Sequence, residues 1–279
     1  MNIQETMEKL GLNWSVRKEP IQTISGIEVP GAYAIVREDI NQAFHKPMMD
    51  SYQPYQNQEL FELLDKVSGS TGLNVVRGGM FKDGARVYVQ LKSEDLILAG
   101  DKIEGYLTGI NSYDGSTSLA FGPSNLTISC QNSFFAAFKE MKTKIRHTKN
   151  MGIKVDEVCM HLMQVKQAEQ IIFEDIKRLS EVRVSDSNID SVLRRLFEIE
   201  KGVDLKDQEA ISTAKRNKMT QFSVDLQGEI NQKGDNLWGL FSGVTKYTTH
   251  SIRNSMETKM YGVIGKKEKE IFQELVSYV

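Results

Sequence analysis

The pattern of apolar residues changes near the middle of the chain, and this change restricts the possible folds more than any other feature. Up to residue 150, several short segments alternate between apolar and polar residues, which predicts half-buried strands. From residue 151 onward, apolar residues recur every three or four positions, which predicts amphipathic helices. We therefore expect an α+β fold in two domains. Residues 1–150 would form an antiparallel sheet packed on helices, and residues 151–279 an all-helical region.

Composition narrows the class of protein further. The 279 residues, 40% of them hydrophobic, suffice for a substantial core. The net charge of −2 means that any nucleic-acid surface would be a local patch. Two cysteines are too few for a disulfide framework, which indicates a reducing setting. The N-terminus lacks a signal-peptide pattern and no apolar run reaches the roughly 20 residues of a membrane span, so we expect a cytoplasmic protein without membrane contact.

The first 70 residues predict a strand pair and a helix. Trp14 to Ile24 and Ile27 to Glu38 would pair as antiparallel strands around the Ser-Gly turn between them. Asn57 is a good N-cap residue, and it precedes an apolar stripe in the predicted helix from Gln58 to Val67. These elements would form the start of the mixed domain.

A predicted hairpin offers the first candidate binding surface. Strands at 74–81 and 85–91 flank Lys82-Asp83-Gly84, and Asp-Gly favours a tight turn. Basic groups interleaved with aromatic rings suit a single-stranded DNA groove, because bases stack on rings while cations follow the backbone. Such residues are also ordinary occupants of an exposed strand face. The candidates are Arg77, Lys82, Arg86, Tyr88 and, on a neighbouring strand, Tyr106.

A basic stripe on the helix predicted at 132–146 offers the second candidate. At 3.6 residues per turn, most of its cations fall on one side, where they could neutralise successive phosphates. Alternatively, the stripe is a solvated face whose cations complement the negative end of the helix dipole. The cations are Lys139, Lys142, Lys144, Arg146 and Lys149.

The remaining polar motifs predict neither catalysis nor a metal site. Asn111 to Ser116 (NSYDGS) contains Asp114-Gly115 and is most simply a turn. Cys130, His147, Cys159 and His161 fit no zinc spacing. Phosphate-binding loops and common hydrolase motifs are absent from the sequence. We therefore expect no catalytic residue, no metal and no cofactor.

An aromatic segment near the end of the chain has two interpretations. Asp235 to Asn254 predicts one helix, on whose broad apolar face lie Trp238, Phe241 and Tyr247. These side chains would pack in the core of the helical region. They could instead contact a second copy of the chain in a homo-oligomer.

Several segments, in order along the chain, resemble the phage/plasmid-like protein family, an uncharacterised family of phages, prophages and plasmids. The segments are GLNWSV (11–16), Tyr52-x-Pro-x-x-Gln56-Asn57, GGxFxxGxRV (78–87), NSYDGS (111–116), SCQNSFFAAF (129–138) with Arg146-His147-Thr148, and LWGLFSGVTKYTTH (237–250). The last segment departs from the family pattern at Ser242 and Lys246.

The predicted order of strands and helices is similar to the core of the single-strand annealing superfamily, which includes the RecT and Beta annealases of phages. That resemblance implies a curved antiparallel sheet on a helix, in rings or filaments with a basic groove for DNA. Two functions follow as expectations. One is a non-enzymatic protein that binds single-stranded DNA in the host cytoplasm, with strand annealing as its further expectation. The alternative is an interaction protein that binds a host factor, such as a defence component, through its helical half.

Overall fold

The structure is a computed structural model that describes most of the chain. The described residues are 2–98, 101–127, 133–135, 155–205, 207, 209–253, 258–259 and 262–279. Within them, antiparallel sheets occupy the N-terminal half and helices predominate in the C-terminal half. The expected α+β class is therefore confirmed.

The strands of the described ranges form two sheets. Their bounds are β1 (Val16–Gln22), β2 (Glu28–Arg37), β3 (Gln42–Ala43), β4 (Met48–Met49), β5 (Val75–Phe81), β6 (Arg86–Leu98), β7 (Asp101–Ser112), β8 (Ala120–Thr127) and β9 (Ser133–Phe135). The first sheet has the order β1–β2–β3, and β4 also pairs with β2. In the second sheet, β5 to β9 follow one another in sequence order, so each strand pairs with the next.

Helices make up most of the remaining described structure. Their bounds are α1 (Ile3–Lys9), α2 (Asn57–Thr71), α3 (Val155–Glu181), α4 (Asp186–Phe197), α5 (Thr213–Lys233), α6 (Leu237–Lys246) and α7 (Val263–Val276). A π-helix, Tyr247–Ser251, follows α6 directly, where the sequence predicted one continuous α-helix. The wider turn is closed by the Ile252 N–H, which donates to the Tyr247 carbonyl five residues earlier.

The predicted pair of N-terminal strands is confirmed. β1 and β2 are antiparallel, with Val16 opposite Arg37 at one end and Gln22 opposite Glu28 at the other. The register shifts after Pro20, a residue that lacks the N–H needed for a regular ladder. Beyond this irregularity, the loop that joins the two strands is highly exposed, Ile24 included.

The predicted N-cap of α2 is wrong by one residue. The helix begins at Asn57, and Gln56 is the N-cap, whose N–H donates to the Glu59 carboxylate at 2.7 Å. Asn57 is instead fully buried, and its amide donates to the carbonyls of Leu12 and Trp14. Asn57 thus makes tertiary hydrogen bonds, although the local sequence predicted that it caps the helix.

The Cα positions divide the chain into two compact units. In the described residues, unit 1 comprises 2–93, 106–123 and 155–166. Unit 2 comprises the tip of the β6–β7 hairpin (94–98 and 101–105), residues 124–127 and 133–135, and the described part of 167–279. A domain boundary at residue 150 stays a prediction, because residues 136–154 lie outside the described ranges.

The core of unit 1 lies between its sheets and α2. One side of the first half of β6 is fully buried, as alternation predicted, at Val87, Val89 and Leu91. These side chains belong to one cluster with Phe61 and Leu64 of α2. Burial of each such side chain stabilises the fold by about 1.5 to 3 kcal/mol before entropy is counted.

The core of unit 2 is helical and rich in aromatic rings. Phe197, Phe222 and Tyr247 form a triangle of edge-on contacts, with ring centroids 5.6 to 6.1 Å apart. Leu96 and Ile103, from the tip of the β6–β7 hairpin, join the same cluster. The hairpin tip therefore contributes strand residues to a unit in which the sequence predicted only helices.

Candidate nucleic-acid interface

One face of the second sheet brings together the predicted basic and aromatic residues of unit 1. In the β5–β6 register, Arg77 lies opposite Gln90, Gly79 opposite Tyr88 and Phe81 opposite Arg86. Residues two apart on a strand share a face, so all of these side chains lie on the side opposite the core. We call this side, with Lys92 and Tyr106, the basic–aromatic face.

Tyr106 is the inner ring of this face. The Arg77 guanidinium lies 5.0 Å from its centroid and the Lys92 ammonium 5.1 Å, so two cations contact one ring. The ring itself is only 2% exposed. Tyr106 therefore holds cations in place more readily than it could stack on a base.

Phe81 and Tyr88 form the outer aromatic pair of the face. Their rings are stacked, with centroids 5.3 Å apart and planes 21° apart, and both side chains are half-buried. Gly79 lies beneath the Tyr88 ring, where an added Cβ would come within 3.1 Å of it. Partial burial raises the pKa of Tyr88, and the nearby Arg77 opposes this shift.

The cations of the face differ in how far they are exposed, and Arg86 is half-buried. The Arg86 guanidinium donates to the Ser116 hydroxyl at 2.7 Å and lies 3.6 Å from the Asp114 carboxylate. Arg77 and Lys82 are exposed, and Lys82 lies in the 3₁₀ turn Lys82–Gly84. Arg77 and Lys82 are thus better placed to meet a phosphate than Arg86.

Two residues of this face were missed by sequence reasoning, namely Phe81 and Lys92. Phe81 could have been found, because a hairpin turn at Lys82–Gly84 places it opposite Arg86 and diagonal to Tyr88. Lys92 could not have been found from its own segment, because its contact with Tyr106 depends on the position of β7 beside β6. The face therefore contains one more half-buried ring and one more cation than predicted.

The NSYDGS segment completes β7 with Asn111 and Ser112 and then turns at Asp114-Gly115, as predicted. The Asp114 carboxylate accepts from the Ser116 N–H at 2.9 Å, the hydrogen bond of an Asx turn. Asn111 at its start is fully buried and donates to the Tyr55 carbonyl at 2.9 Å. Within the described residues no group of three or more metal-binding side chains occurs.

Four of the recognisable segments meet in unit 1, and we call the region where they meet the motif junction. The segments are 11–16, 52–57, 78–87 and 111–116. The Gln56 amide group accepts from the Val16 N–H at 3.0 Å and donates to the Val16 carbonyl at 2.8 Å. The Tyr113 hydroxyl donates to the Asn57 carboxamide at 2.8 Å, and both side chains are fully buried. Burial raises the pKa of Tyr113 well above its ordinary value, so its hydroxyl remains a donor.

Trp14, from segment 11–16, brings segment 78–87 into this junction. Its ring contacts Tyr113 at 5.4 Å between centroids, and the Arg37 guanidinium lies 4.4 Å from its centroid. Gly84 has φ +100°, and an added Cβ would lie 2.8 Å from the Trp14 ring. The recognisable residues thus act together in packing and hydrogen bonding.

The predicted basic stripe lies outside the described residues, since residues 136–154 are not among them. A role for Lys139, Lys142, Lys144, Arg146 and Lys149 in DNA binding stays a prediction.

The three residues predicted for a subunit contact lie in the core of unit 2. Trp238, Phe241 and Tyr247 are 0 to 7% exposed, and Phe241 contacts the Phe272 ring at 5.0 Å between centroids. Their burial agrees with the interpretation that they pack in the core of the helical region. Because little of their surface is left for a second copy, we place no oligomer contact on them.

The family model for a domain of unknown function, DUF932, matches residues 45–271. The chain belongs to this family. No curated protein and no solved structure matches it. None of the helices in the described ranges is long and apolar enough to cross a membrane.

Proposed function

We propose that this chain binds single-stranded DNA on the basic–aromatic face of unit 1. The observation on which this rests is the stacked, half-exposed pair of Phe81 and Tyr88, with the exposed cations Arg77 and Lys82 on the same hairpin. A base stacked on one of these rings would gain about 1 to 3 kcal/mol, whatever its identity. The cations would follow the phosphates and make the affinity depend on salt.

The finer parts of the proposal rest on resemblance. The phage/plasmid-like segments suggest a role in phage recombination or replication, in the cytoplasm of a host cell. An antiparallel sheet of sequential strands, preceded by a hairpin and a helix, is consistent with the order of the RecT and Beta annealases. By that analogy the chain would form a homo-oligomer and anneal strands without an enzymatic step.

The test is fluorescence anisotropy of a labelled oligonucleotide of about 16 nucleotides, titrated at about 50 mM salt. Tyr88→Leu and Phe81→Leu each remove a ring while keeping an apolar side chain. We expect each to weaken binding at least about fivefold, the effect of losing roughly 1 kcal/mol of stacking. Tyr33→Leu is the matched control, because Tyr33 also lies under a cation, Lys18 at 4.1 Å, but on the first sheet.

Two results would contradict the proposal. The parent chain could show no binding at about 50 mM salt, where phosphate contacts are strong. Alternatively, Tyr88→Leu and Phe81→Leu could bind the oligonucleotide as tightly as Tyr33→Leu does.

A second candidate function is binding of a host protein, and the tip of the β1–β2 hairpin favours it. Ile24 and Ile27 at this tip are 109% and 65% exposed, and Val29 beside them is also exposed. Adjacent exposed apolar side chains are typical of an interaction surface. Recovery of one stoichiometric host protein after nuclease treatment, lost in Ile24→Ser/Ile27→Ser, would favour this function over DNA binding.

A further inference from the structure

Unit 2 contains an open cavity of about 670 Å³ that none of the sequence motifs predicts. It lies between the end of α4, the first turns of α5, the π-helix and the start of α7. Its volume is within the range of about 300 to 1,000 Å³ that is usual for small-molecule sites. The polar and charged side chains that line it come from Glu198, Lys215, Asn217, Lys218, Gln221, Thr248, Ser251, Arg253 and Lys267.

Cations outnumber carboxylates in this lining by four to one. Lys215 donates to the Glu198 carbonyl at 3.0 Å, and the Lys267 ammonium lies 2.6 Å from the Glu198 carboxylate. Lys267 holds the pKa of Glu198 below its ordinary value, so this carboxylate is charged at neutral pH. It offsets one of the four positive charges at the α4 end of the cavity.

The other two cations are not used by the fold. Lys218 on α5 and Arg253 after the π-helix are both exposed. Neither side chain makes a hydrogen bond or ion pair with any residue that the structure describes. They leave the lining with a net positive charge, which favours an anionic ligand.

Part of the lining is apolar. Phe197 and Tyr247 belong to it but are only 7% and 3% exposed, so the partly exposed Ile252 and Ile264 are the apolar residues with surface left for a ligand. An inorganic anion would leave this apolar surface in contact with water. A ligand with a charged end and a flat apolar end would contact both the cations and the apolar residues.

A buried charged network adjoins the cavity at Thr248. Thr248 lines the cavity and donates to the fully buried Glu268 carboxylate, which lies 2.9 Å from the Lys259 ammonium. The second Glu268 oxygen has no hydrogen-bond partner among the described residues. The Thr248–Glu268 hydrogen bond connects the π-helix to α7 and holds the lining in place. A lining held in place loses less entropy when a ligand binds.

We propose that this cavity binds a phosphorylated small molecule of the nucleotide class. Its phosphates would contact Lys218 and Arg253, and the less exposed Lys215 and Lys267 add positive charge to the same lining. Its base would lie against Ile252 and Ile264, and the exposed Asn217 amide is available to its polar edge. The site lies wholly in unit 2 and does not depend on DNA binding by unit 1.

Isothermal titration calorimetry of the full chain tests this proposal, with ATP in EDTA, inorganic pyrophosphate and adenosine as separate ligands at about 50 mM salt. We expect ATP to bind more tightly than pyrophosphate, because only ATP has an apolar ring to contact the apolar residues of the lining as well as phosphates for its cations. We expect Lys218→Ala/Arg253→Ala to weaken ATP binding by about tenfold or more, since each substitution removes a charged contact.

The matched control is Lys177→Ala/Lys266→Ala, which removes two exposed cations of unit 2 that do not line the cavity. It should bind ATP as the parent does. Circular dichroism checks that both double variants fold.

Several results would overturn the proposal. They are the absence of ATP binding by the parent, equal affinity for pyrophosphate and ATP, or equal losses in the two double variants. A further result that would overturn it comes from the oligonucleotide affinity of the same proteins. If Lys218→Ala/Arg253→Ala weakens only oligonucleotide binding, the cavity is part of a polynucleotide site, and the nucleotide assignment falls while the proposed function stands.

Discussion

The motif junction of unit 1 and the cavity of unit 2 use their polar side chains in opposite ways. In the junction, Asn57, Tyr113 and Gln56 hydrogen-bond within the fold, and the first two are fully buried. Around the cavity, Lys218 and Arg253 are exposed and bond none of the residues that the structure describes. The polar side chains of the junction therefore stabilise the fold, whereas Lys218 and Arg253 remain available to a ligand.

Hydrogen-bond energetics explain this difference. A buried donor or acceptor without a partner costs about 1 to 3 kcal/mol, so each junction residue must match its neighbours in type and position. An exposed lysine or arginine has water as a partner and is under no such restriction. The following substitutions test the contrast between the two regions, beginning with the largest effect.

Asn57→Leu should destabilise the chain most. The substitution keeps a branched side chain of four heavy atoms but removes the carboxamide that bonds the Trp14 carbonyl and the Tyr113 hydroxyl, while the Leu12 carbonyl keeps the Trp14 N–H. We expect a loss of about 4 kcal/mol in the free energy of unfolding, measured by urea denaturation. Asn231→Leu, at an exposed position of α5, should stay within about 0.5 kcal/mol. Losses of similar size in the two variants would remove the basis for the contrast.

Gly84→Ala should have the next largest effect. Gly84 has φ +100° and the Trp14 ring lies 2.8 Å from the site of its Cβ, so backbone strain and overlap add. We expect a loss of about 2 to 3 kcal/mol, against about 1 kcal/mol for Gly202→Ala. Gly202 has a similar φ of +96° and nothing within 4 Å of its added Cβ. Thermal unfolding of both variants isolates the contact with Trp14, and equal melting temperatures would show that this contact is unimportant.

Sequence patterns predicted the elements of unit 1 better than their polar contacts. Alternation in Val87, Val89 and Leu91 gave the buried side of β6 correctly, because burial depends on the local period of two. The role of Asn57 was mistaken, because its partners Leu12 and Trp14 lie more than 40 residues away. Local capping rules cannot include such contacts.

The candidate sites also differ in how far local sequence patterns could predict them. Arg77, Tyr88 and Tyr106 were predicted to share a face, and β5–β6 pairing with the Arg77–Tyr106 contact brings them together. The cavity went unpredicted because its lining comes from four elements spread over residues 196–267. Its π-helix also interrupts a segment whose periodicity predicts a plain α-helix.

Asp39→Asn should have a smaller effect that depends on pH. The Arg37 guanidinium makes two hydrogen bonds to the Asp39 carboxylate and holds its pKa below the ordinary 3.8. Because the pKa is lower in the folded chain, the stabilisation is fully present above 3.8 and is lost as the pH falls through the folded value. We expect about 1 kcal/mol at neutral pH, since the carboxylate is partly exposed.

Urea denaturation of the parent and Asp39→Asn at neutral pH and at about pH 3 measures this change. The difference between the two proteins should shrink at the lower pH. A difference that stays constant, or grows, on acidification would show that the pair does not stabilise the fold.

Lys218→Ala/Arg253→Ala should have the smallest effect on stability. Neither side chain bonds a residue that the structure describes, so the free energy of unfolding should change by less than about 0.5 kcal/mol. Urea denaturation without added ligand is the measurement. A loss above about 1 kcal/mol would mean that the cavity cations hold the fold together, as the junction residues do.

Photocrosslinking tests most directly whether the basic–aromatic face binds single-stranded DNA. An oligonucleotide containing 5-iododeoxyuridine reacts on irradiation with aromatic side chains that lie against the base, and mass spectrometry identifies the modified residue. The account predicts adducts on Phe81 or Tyr88, whose stacked rings are half-exposed on this face. Adducts confined to unit 2, or the absence of any adduct under conditions that saturate binding, would contradict it.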